Sequence, residues 1–167
     1  MKKILLVLII SLFSFSRINA QKGSNSIKIH AAAEIPVGFF ATGYNAGWGL
    51  HVTDYIRTGN KGGDLLLSAG FASWKDKLGA NIKAGLVLIR GGYRQFVSSG
   101  FYFQLEAGVA ILVQDWGQGS RFSYGGGAGY LIKSKKGKGG IDISAKFNRI
   151  TYRSWIGLGL GYQFETR

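Results

Sequence analysis

The end of the chain alternates between large apolar residues and very small ones. From Ile156 to Phe164 every second residue is large and apolar, and the residues between are Gly or Gln. Because a strand sends successive side chains to opposite faces, one face is an apolar ladder and the other is almost bare. A soluble sandwich would carry charges on that second face. The pattern instead indicates a narrow closed barrel, with lipid outside and a cramped interior.

The same two-residue period recurs along the chain and predicts eight antiparallel strands joined by turns. They cover approximately residues 26–35, 44–56, 64–73, 81–96, 101–114, 122–132, 141–148 and 154–164. Residues 39–43 and 74–80 are predicted loops. The fourth strand is the least regular, and a bulge near Gly85 would bring Ile82 and Ala84 into phase. Eight is the smallest usual strand number of an outer-membrane barrel, so an all-β up-and-down transmembrane barrel is predicted.

The two faces of these strands differ in charge. The apolar ladders hold no charged residue in their central turns. The opposite faces hold Lys28, Glu34, Arg90, Arg94, Glu106, Asp142 and Lys146. One charge at the lipid midplane costs roughly 2–4 kcal/mol, so these residues are predicted to form a structural ion network in the lumen. A gate or solute path is the alternative role. The lipid-facing residues of the final strand are then Ile156, Leu158, Leu160, Tyr162 and Phe164.

Aromatic residues near the predicted strand ends are expected to form girdles at the two lipid–water interfaces. They are Tyr44, Trp48, Phe101, Tyr130, Trp155, Tyr162 and Phe164. A secreted, soluble, ligand-binding barrel of the lipocalin kind is the alternative. It would need a charged exterior, whereas the non-apolar set of the last strand is Gly and Gln.

The first twenty residues have the pattern of a cleavable signal peptide. Lys2 and Lys3 precede an apolar segment, 4–15, and Ala20 ends a plausible cleavage site. Residues 1–20 are therefore predicted as a signal and 21–167 as one barrel domain. Loss of three cations with the signal would lower the formal charge from +13 to +10. The rest has no Cys and no apolar run near 18 residues, so crossing a membrane would require strands.

Basic residues at one end of the predicted barrel are candidate contacts to lipopolysaccharide. With both termini in the periplasm, the outer surface would carry Lys75, Lys77, Arg121, Arg149 and Arg153. Such cations can donate charge-assisted hydrogen bonds to phosphates. A solvated basic rim is the alternative. Nucleic acid is a poor partner for a secreted chain despite the positive charge.

No group of residues predicts catalysis, a metal site or a cofactor. His30 and His51 are the only histidines, both are predicted to face inward, and two His are too few for a metal site. Lumen hydrogen bonding is their predicted role. A lipid A deacylase would need an outward His and Ser, and no matching His-x-Ser motif is present. Segment 125–129 lacks the helix that a nucleotide-binding loop requires.

Several short motifs suggest a family. They are Ala20-Gln21, Gly91-Gly92-Tyr93-Arg94, Gly100-Phe101-Tyr102, Ile141-Asp142-Ile143-Ser144 and Gly159-Leu160-Gly161-Tyr162-Gln163-Phe164. With these motifs the chain resembles small outer-membrane β-barrel proteins of the Bacteroidetes, similar to the OmpX and OmpW kinds. The ending looks like the insertion signal recognised by the barrel-assembly machinery, although Glu165, Thr166 and Arg167 follow the aromatic residue.

A barrel that spans the outer membrane is predicted, and it is taken to be a monomer by default. A structural or surface-interaction role in the envelope is predicted. The alternative is transport, through a narrow pore or along a path for small hydrophobic molecules.

Overall fold

Eight antiparallel strands close into a single barrel. The computed structural model describes residues 25–58, 63–77, 82–114, 119–134 and 139–166. The strands are β1 (Asn25–Val37), β2 (Gly47–Arg57), β3 (Gly63–Lys75), β4 (Lys83–Phe96), β5 (Phe101–Gln114), β6 (Ser120–Lys133), β7 (Gly139–Ile150) and β8 (Arg153–Thr166). Each pairs with its neighbours in sequence, and β8 pairs with β1. The predicted eight-stranded antiparallel barrel is therefore confirmed.

One short helical turn, α1 (Phe39–Gly43), follows β1. We call the end of the barrel that carries α1 the outer end, and the end that carries both termini the inner end. No helix among the described residues is long and apolar enough to cross a bilayer. The predicted signal peptide, 1–20, lies outside the described residues.

Four local predictions were wrong. Residues 39–43 form α1 rather than a loop, β2 begins at Gly47 rather than Tyr44, and β3 continues to Lys75. The bulge near Gly85 is absent, because β4 pairs with β3 without a break from Lys83 to Gln95. Alternating Ala84, Leu86 and Leu88 are buried inside the barrel, since the outer part of the lumen is apolar.

The register fixes the width of the barrel. A line of paired residues that starts at Ile27 passes through Asp54, Leu67, Gly91, Ala107, Tyr124, Arg149 and Ser154 and returns to β1 at Val37. The stagger around the barrel is thus ten residues, from 27 to 37. With about 3.3 Å per residue and about 4.8 Å between strands, the strands tilt by roughly 40°. The interior has room only for side chains.

The exterior is an apolar belt. On β8, Ile156, Leu158 and Leu160 are 37%, 48% and 61% exposed, while Gly157 and Gly159 between them are buried. Exposed apolar residues recur on the other strands, among them Ile29, Leu50, Leu65, Leu105, Val109 and Ile143. Asp54 and Arg149, which share these outward positions, lie near strand ends. A belt of this kind requires hydrocarbon around it, so the barrel spans a membrane.

Aromatic side chains mark both edges of the belt. At the inner end the exposed ones are Tyr93, Phe103, Tyr130, Tyr162 and Phe164, and at the outer end Trp48, Phe122 and Tyr124. Phe101 is half-buried at the inner edge. Two predicted girdle residues were wrong. Trp155 points inward and is fully buried. Tyr44 lies before β2 and packs on Phe40.

The orientation of β8 can be tested by placing a charge on its apolar face. We expect Leu158→Arg to lower the free energy of unfolding by about 2–4 kcal/mol, because the guanidinium would lie in hydrocarbon. The measurement is the urea midpoint of the heat-modifiable gel band in lipid vesicles. Ser99→Arg, in the exposed β4–β5 turn, is the control and should leave the midpoint unchanged. Equal midpoints for the two variants would contradict the lipid-facing orientation.

Candidate functional site

A buried ion pair joins three strands near the inner end of the lumen. Lys28 Nζ lies 2.9 Å from Asp142 Oδ1. Tyr102 on β5 donates its hydroxyl to Asp142 Oδ2 at 2.8 Å. All three residues are fully buried. The ion pair and the tyrosine therefore link β1, β5 and β7 across the lumen. The Asp142 carboxylate accepts a hydrogen bond from Lys28 and another from Tyr102.

Arg94 is the centre of a second inner cluster. Its Nε and Nη2 donate to Asp64 Oδ2 at 3.0 and 2.6 Å, and its Nη1 donates to Gln163 Oε1 at 2.9 Å. The guanidinium also lies over the Tyr55 ring, 3.5 Å from its centroid. Sequence reasoning missed Asp64. Its signal was available, because Asp64 shares the inward phase of Leu66 and Ser68 and stands directly opposite Arg94.

Glu106 holds the middle of the lumen. Lys146 Nζ lies 3.0 Å from its Oε1, and Arg90 Nη1 lies 3.6 Å from its Oε2. Arg90 Nη1 also donates to Asn148 Oδ1 at 2.7 Å. Glu106 is 5% exposed and Arg90 is 3% exposed. Because both are shielded from water, each charge is stabilised by the opposite charge beside it. Buried charges that lack such partners would not remain ionised at tolerable cost.

The two histidines lie side by side in the same part of the lumen as Glu106. Their rings stack with centroids 4.8 Å apart, and His51 Nε2 lies 3.0 Å from Glu34 Oε1. Space for them comes from glycine, because a Cβ on Gly70 would overlap the His51 ring and one on Gly49 would crowd Glu34. Bulky polar side chains in the lumen therefore lie next to glycines, which have no side chain to compete for the space.

Glu34 Oε2, His30 Nδ1 and Arg90 Nε make no hydrogen bond to the protein. All three residues line a cavity of about 10 Å³, which is room for about one water molecule. Among the described residues, no group of three His, Asp or Glu side chains is placed to hold a metal ion. The arrangement can neutralise and fasten strands, but it has no open space for a substrate.

The structure brings the seven predicted lumen residues into the interior. Lys28, Glu34, Arg90, Arg94, Glu106 and Asp142 are buried, and the Lys146 side chain is 12% exposed. With Asp64 included, four cations face four acids. The lumen charges therefore balance without a bound ion.

The outer part of the lumen is an apolar plug. Phe40 of α1 packs against Trp74 and Trp155, with ring centroids 5.2 and 6.5 Å away. Leu86, Leu88, Leu112 and Ile150 surround the rings. Trp74 Nε1 donates to Glu34 O at 2.9 Å. Sequence reasoning missed this plug, although Leu112 on the inward face of strand five was a signal for an apolar region.

The five predicted outer-surface cations all lie at the outer end. Lys75, Lys77, Arg121 and Arg149 are exposed, and Arg153 is half-buried. They fall into two groups. Lys75 ends β3 and Lys77 follows it, whereas the arginines lie at the outer ends of β6, β7 and β8, on the other side of the barrel.

Solved structures share this architecture. The outer-membrane protein Ail of Yersinia pestis in a nanodisc superposes with a TM-score of 0.59 at 13% identity, over 86% of this chain and 100% of Ail. The chain is a β-barrel of the bacterial outer-membrane type. Its fold and its apolar belt together place it in the outer membrane.

Two further structures show the same fold. Neisserial surface protein A gives a TM-score of 0.56 at 12% identity, over 87% of this chain and 100% of that one. The N-terminal barrel of Pseudomonas aeruginosa OprF gives 0.54 at 16%, over 86% and 100%. No family model matches the sequence, and no curated protein does. These likenesses support the coarser resemblance, a small eight-stranded outer-membrane barrel.

Removal of the Glu106 charge should destabilise the barrel without opening it. We expect Glu106→Gln to cost about 3–5 kcal/mol, because it leaves Lys146 and Arg90 buried beside a neutral amide. The measurement is the urea midpoint of the heat-modifiable band, together with conductance in planar bilayers. Glu106→Gln combined with Lys146→Met should lose less than the sum of the single losses. A new large conductance, or additive losses, would contradict the structural role.

A methyl group on the lumen side of β8 should be more harmful than one on the lipid side of β4. A Cβ on Gly161 would overlap the backbone oxygen of Ile29 and the Cβ of His30, whereas one on Gly91 meets only Leu66 O, at 3.8 Å. We expect Gly161→Ala to lower the unfolding midpoint clearly, by about 1–3 kcal/mol of overpacking. Gly91→Ala is the control and should be neutral or slightly stabilising. Unfolding in urea distinguishes the two, and equal losses would refute the close packing at the β1–β8 seam.

Proposed function

We propose that the protein has a structural or surface-interaction role in the outer membrane and does not conduct solutes. The observation that carries this proposal is the filled lumen. The Arg94 and Lys28 clusters occupy its inner end, Glu106 and the histidines its middle, and Phe40 with Trp74 and Trp155 its outer end. Between them the described residues leave a cavity with room for about one water molecule.

The two transport alternatives fit this interior poorly. A pore needs a continuous aqueous path, and an eight-stranded barrel has an interior that its own side chains fill. A path for small hydrophobic molecules would need an apolar opening, but Phe40 is 2% exposed and packs on two tryptophans. A role at the surface of the barrel therefore has the better support.

We also propose that the protein is not an enzyme. His30 and His51 are stacked inside the lumen, and Glu34 lies against His51. No lipid substrate in the membrane could reach these groups, because β1 and β2 stand between them and the exterior. The supporting feature is thus the burial of the residue types that would carry acid–base chemistry.

The proposed partners follow from the two ends of the barrel. The cations at the outer end would contact lipopolysaccharide, and the closing aromatic residues of β8 would be recognised by the barrel-assembly machinery. We expect a monomer. The finer resemblance to proteins of the Bacteroidetes stays a prediction.

Conductance measurements test the proposal directly. In planar bilayers we expect no stepwise conductance from the wild-type protein, although it should show the heat-modifiable gel migration of a folded barrel. Phe40→Ala should also remain closed, because the ion layers beneath the plug are unchanged. Stable ion conductance from the folded wild type would overturn the proposal and favour a pore.

A further inference from the structure

Two buried side chains of opposite charge each have an unpartnered polar atom in the middle of the lumen. Glu34 is 2% exposed and Arg90 is 3% exposed. Glu34 Oε1 lies 3.0 Å from His51 Nε2, and Arg90 Nη1 donates to Asn148 Oδ1 at 2.7 Å. Glu34 Oε2 and Arg90 Nε, in contrast, make no hydrogen bond to any described residue. Because a buried charged group is destabilised by an unmet polar atom, a further partner is expected for both.

Both side chains line the same small cavity. Its volume is about 10 Å³, which is room for about one water molecule. Gly157 on β8 forms part of the wall, and a Cβ on this residue would lie 2.8 Å from Glu34 Oε2 and 3.5 Å from Asn148 Nδ2. Asn148 is also the residue that accepts from Arg90. The glycine therefore leaves a small space beside the Glu34 carboxylate and near the Arg90 guanidinium.

We propose that this cavity binds one water molecule as a permanent part of the barrel. The water accepts a hydrogen bond from Arg90 Nε and donates one to Glu34 Oε2. A third partner is available in His30 Nδ1, which is the remaining unpartnered atom among the described residues that line the cavity. Buried waters in proteins have two to four such partners.

Charge and hydrogen-bonding capacity favour water over an ion. The described lumen holds four cations and four acids, so a bound ion would leave an unbalanced charge where little water can screen it. A metal cation or ammonium would lie close to Arg90 and Lys146 and has no lone pair to accept from Arg90 Nε. An anion would lie against Glu34 and Glu106. Water is neutral, and one molecule both accepts and donates.

The proposed water joins two groups of side chains that the protein leaves separate. Glu34 and His51 form one group, on β1 and β2. Arg90, Glu106 and Lys146 form the other, on β4, β5 and β7. Within the described parts of the chain, no side-chain hydrogen bond or ion pair connects the two groups. The water thereby completes one polar layer across the middle of the lumen.

NMR spectroscopy of the full chain in lipid nanodiscs can detect this water. A water held beside the Arg90 Nε–H proton gives a cross-peak at the water frequency, with opposite signs in NOESY and ROESY spectra. Exchange of the proton with solvent gives the same sign in both. We expect the opposite signs at Arg90. Arg94 is the internal control, because its Nε donates directly to Asp64 Oδ2 at 3.0 Å, and it should show no water cross-peak.

Matched glycine variants test the position of the water. Gly157→Ala should remove the Arg90 cross-peak, since the added methyl group occupies the space beside Glu34 Oε2. Gly91→Ala adds the same group on the lipid side, where it meets only Leu66 O at 3.8 Å, and should retain the cross-peak. The comparison also distinguishes a held water from the Ser68 hydroxyl proton, which both variants leave in place.

A wild-type spectrum with no water cross-peak at Arg90, or with equal ones at Arg90 and Arg94, would overturn the proposal. So would an undiminished cross-peak in folded Gly157→Ala, or rapid exchange of the Arg90 proton with bulk solvent. If Gly157→Ala gives no heat-modifiable band, the comparison of Arg90 with Arg94 in the wild type decides alone. The inference goes beyond the proposed function, and its failure leaves that function intact. Stepwise conductance of the folded protein would contradict the function instead.

Discussion

The closure of β8 onto β1 is the constraint on which the rest of the structure depends. With eight strands and a stagger of ten residues, from Ile27 to Val37, the wall encloses a space that a few side chains fill. Each inward position must therefore fit its neighbours in size and in charge. Bulky polar residues such as His51 and His30 are accommodated because glycines such as Gly70 and Gly161 leave the space beside them.

Charge balance in this interior follows from the same limit. Water has no room to screen the ions, so each cation needs an acid within direct reach. Glu106 meets Lys146, Asp142 meets Lys28, and Asp64 meets Arg94. The first two pairs each join strands that are separated by one other strand, and Arg94 also donates to Gln163 on β8, at the opposite side of the wall. The polar interior thus acts as a set of cross-links between opposite sides of the barrel.

The alternation of residue types was enough to predict the closed barrel and the inward direction of its charges. The apolar ladder of β8 and the charged positions Glu106 and Asp142 each follow from a period of two. The plug was not predictable in the same way. Trp74, Trp155 and Leu86 are apolar, and residue type alone does not tell a lipid-facing ring from one inside the lumen. Only the register decides, and for β4 the pattern was misjudged as a bulge.

The basic residues at the outer rim illustrate the same limit of sequence-based prediction. The sequence placed Arg149 and Arg153 at the outer end, since strand order and turn positions determine which end each residue occupies. It could not show that the arginines and lysines lie on different sides, because this requires the order of strands around a closed wall.

The edge-to-face contact of two tryptophans gives the molecule an optical signature of its own assembly. Trp74 is on β3 and Trp155 on β8, and their ring centroids are 5.2 Å apart at an angle of 72°. Only two strands, β1 and β2, separate them around the wall, yet 80 residues lie between them in the sequence. Their excited states can couple only after β3 and β8 have come together around the lumen. Near-ultraviolet circular dichroism can therefore report the closure of the barrel without an added label.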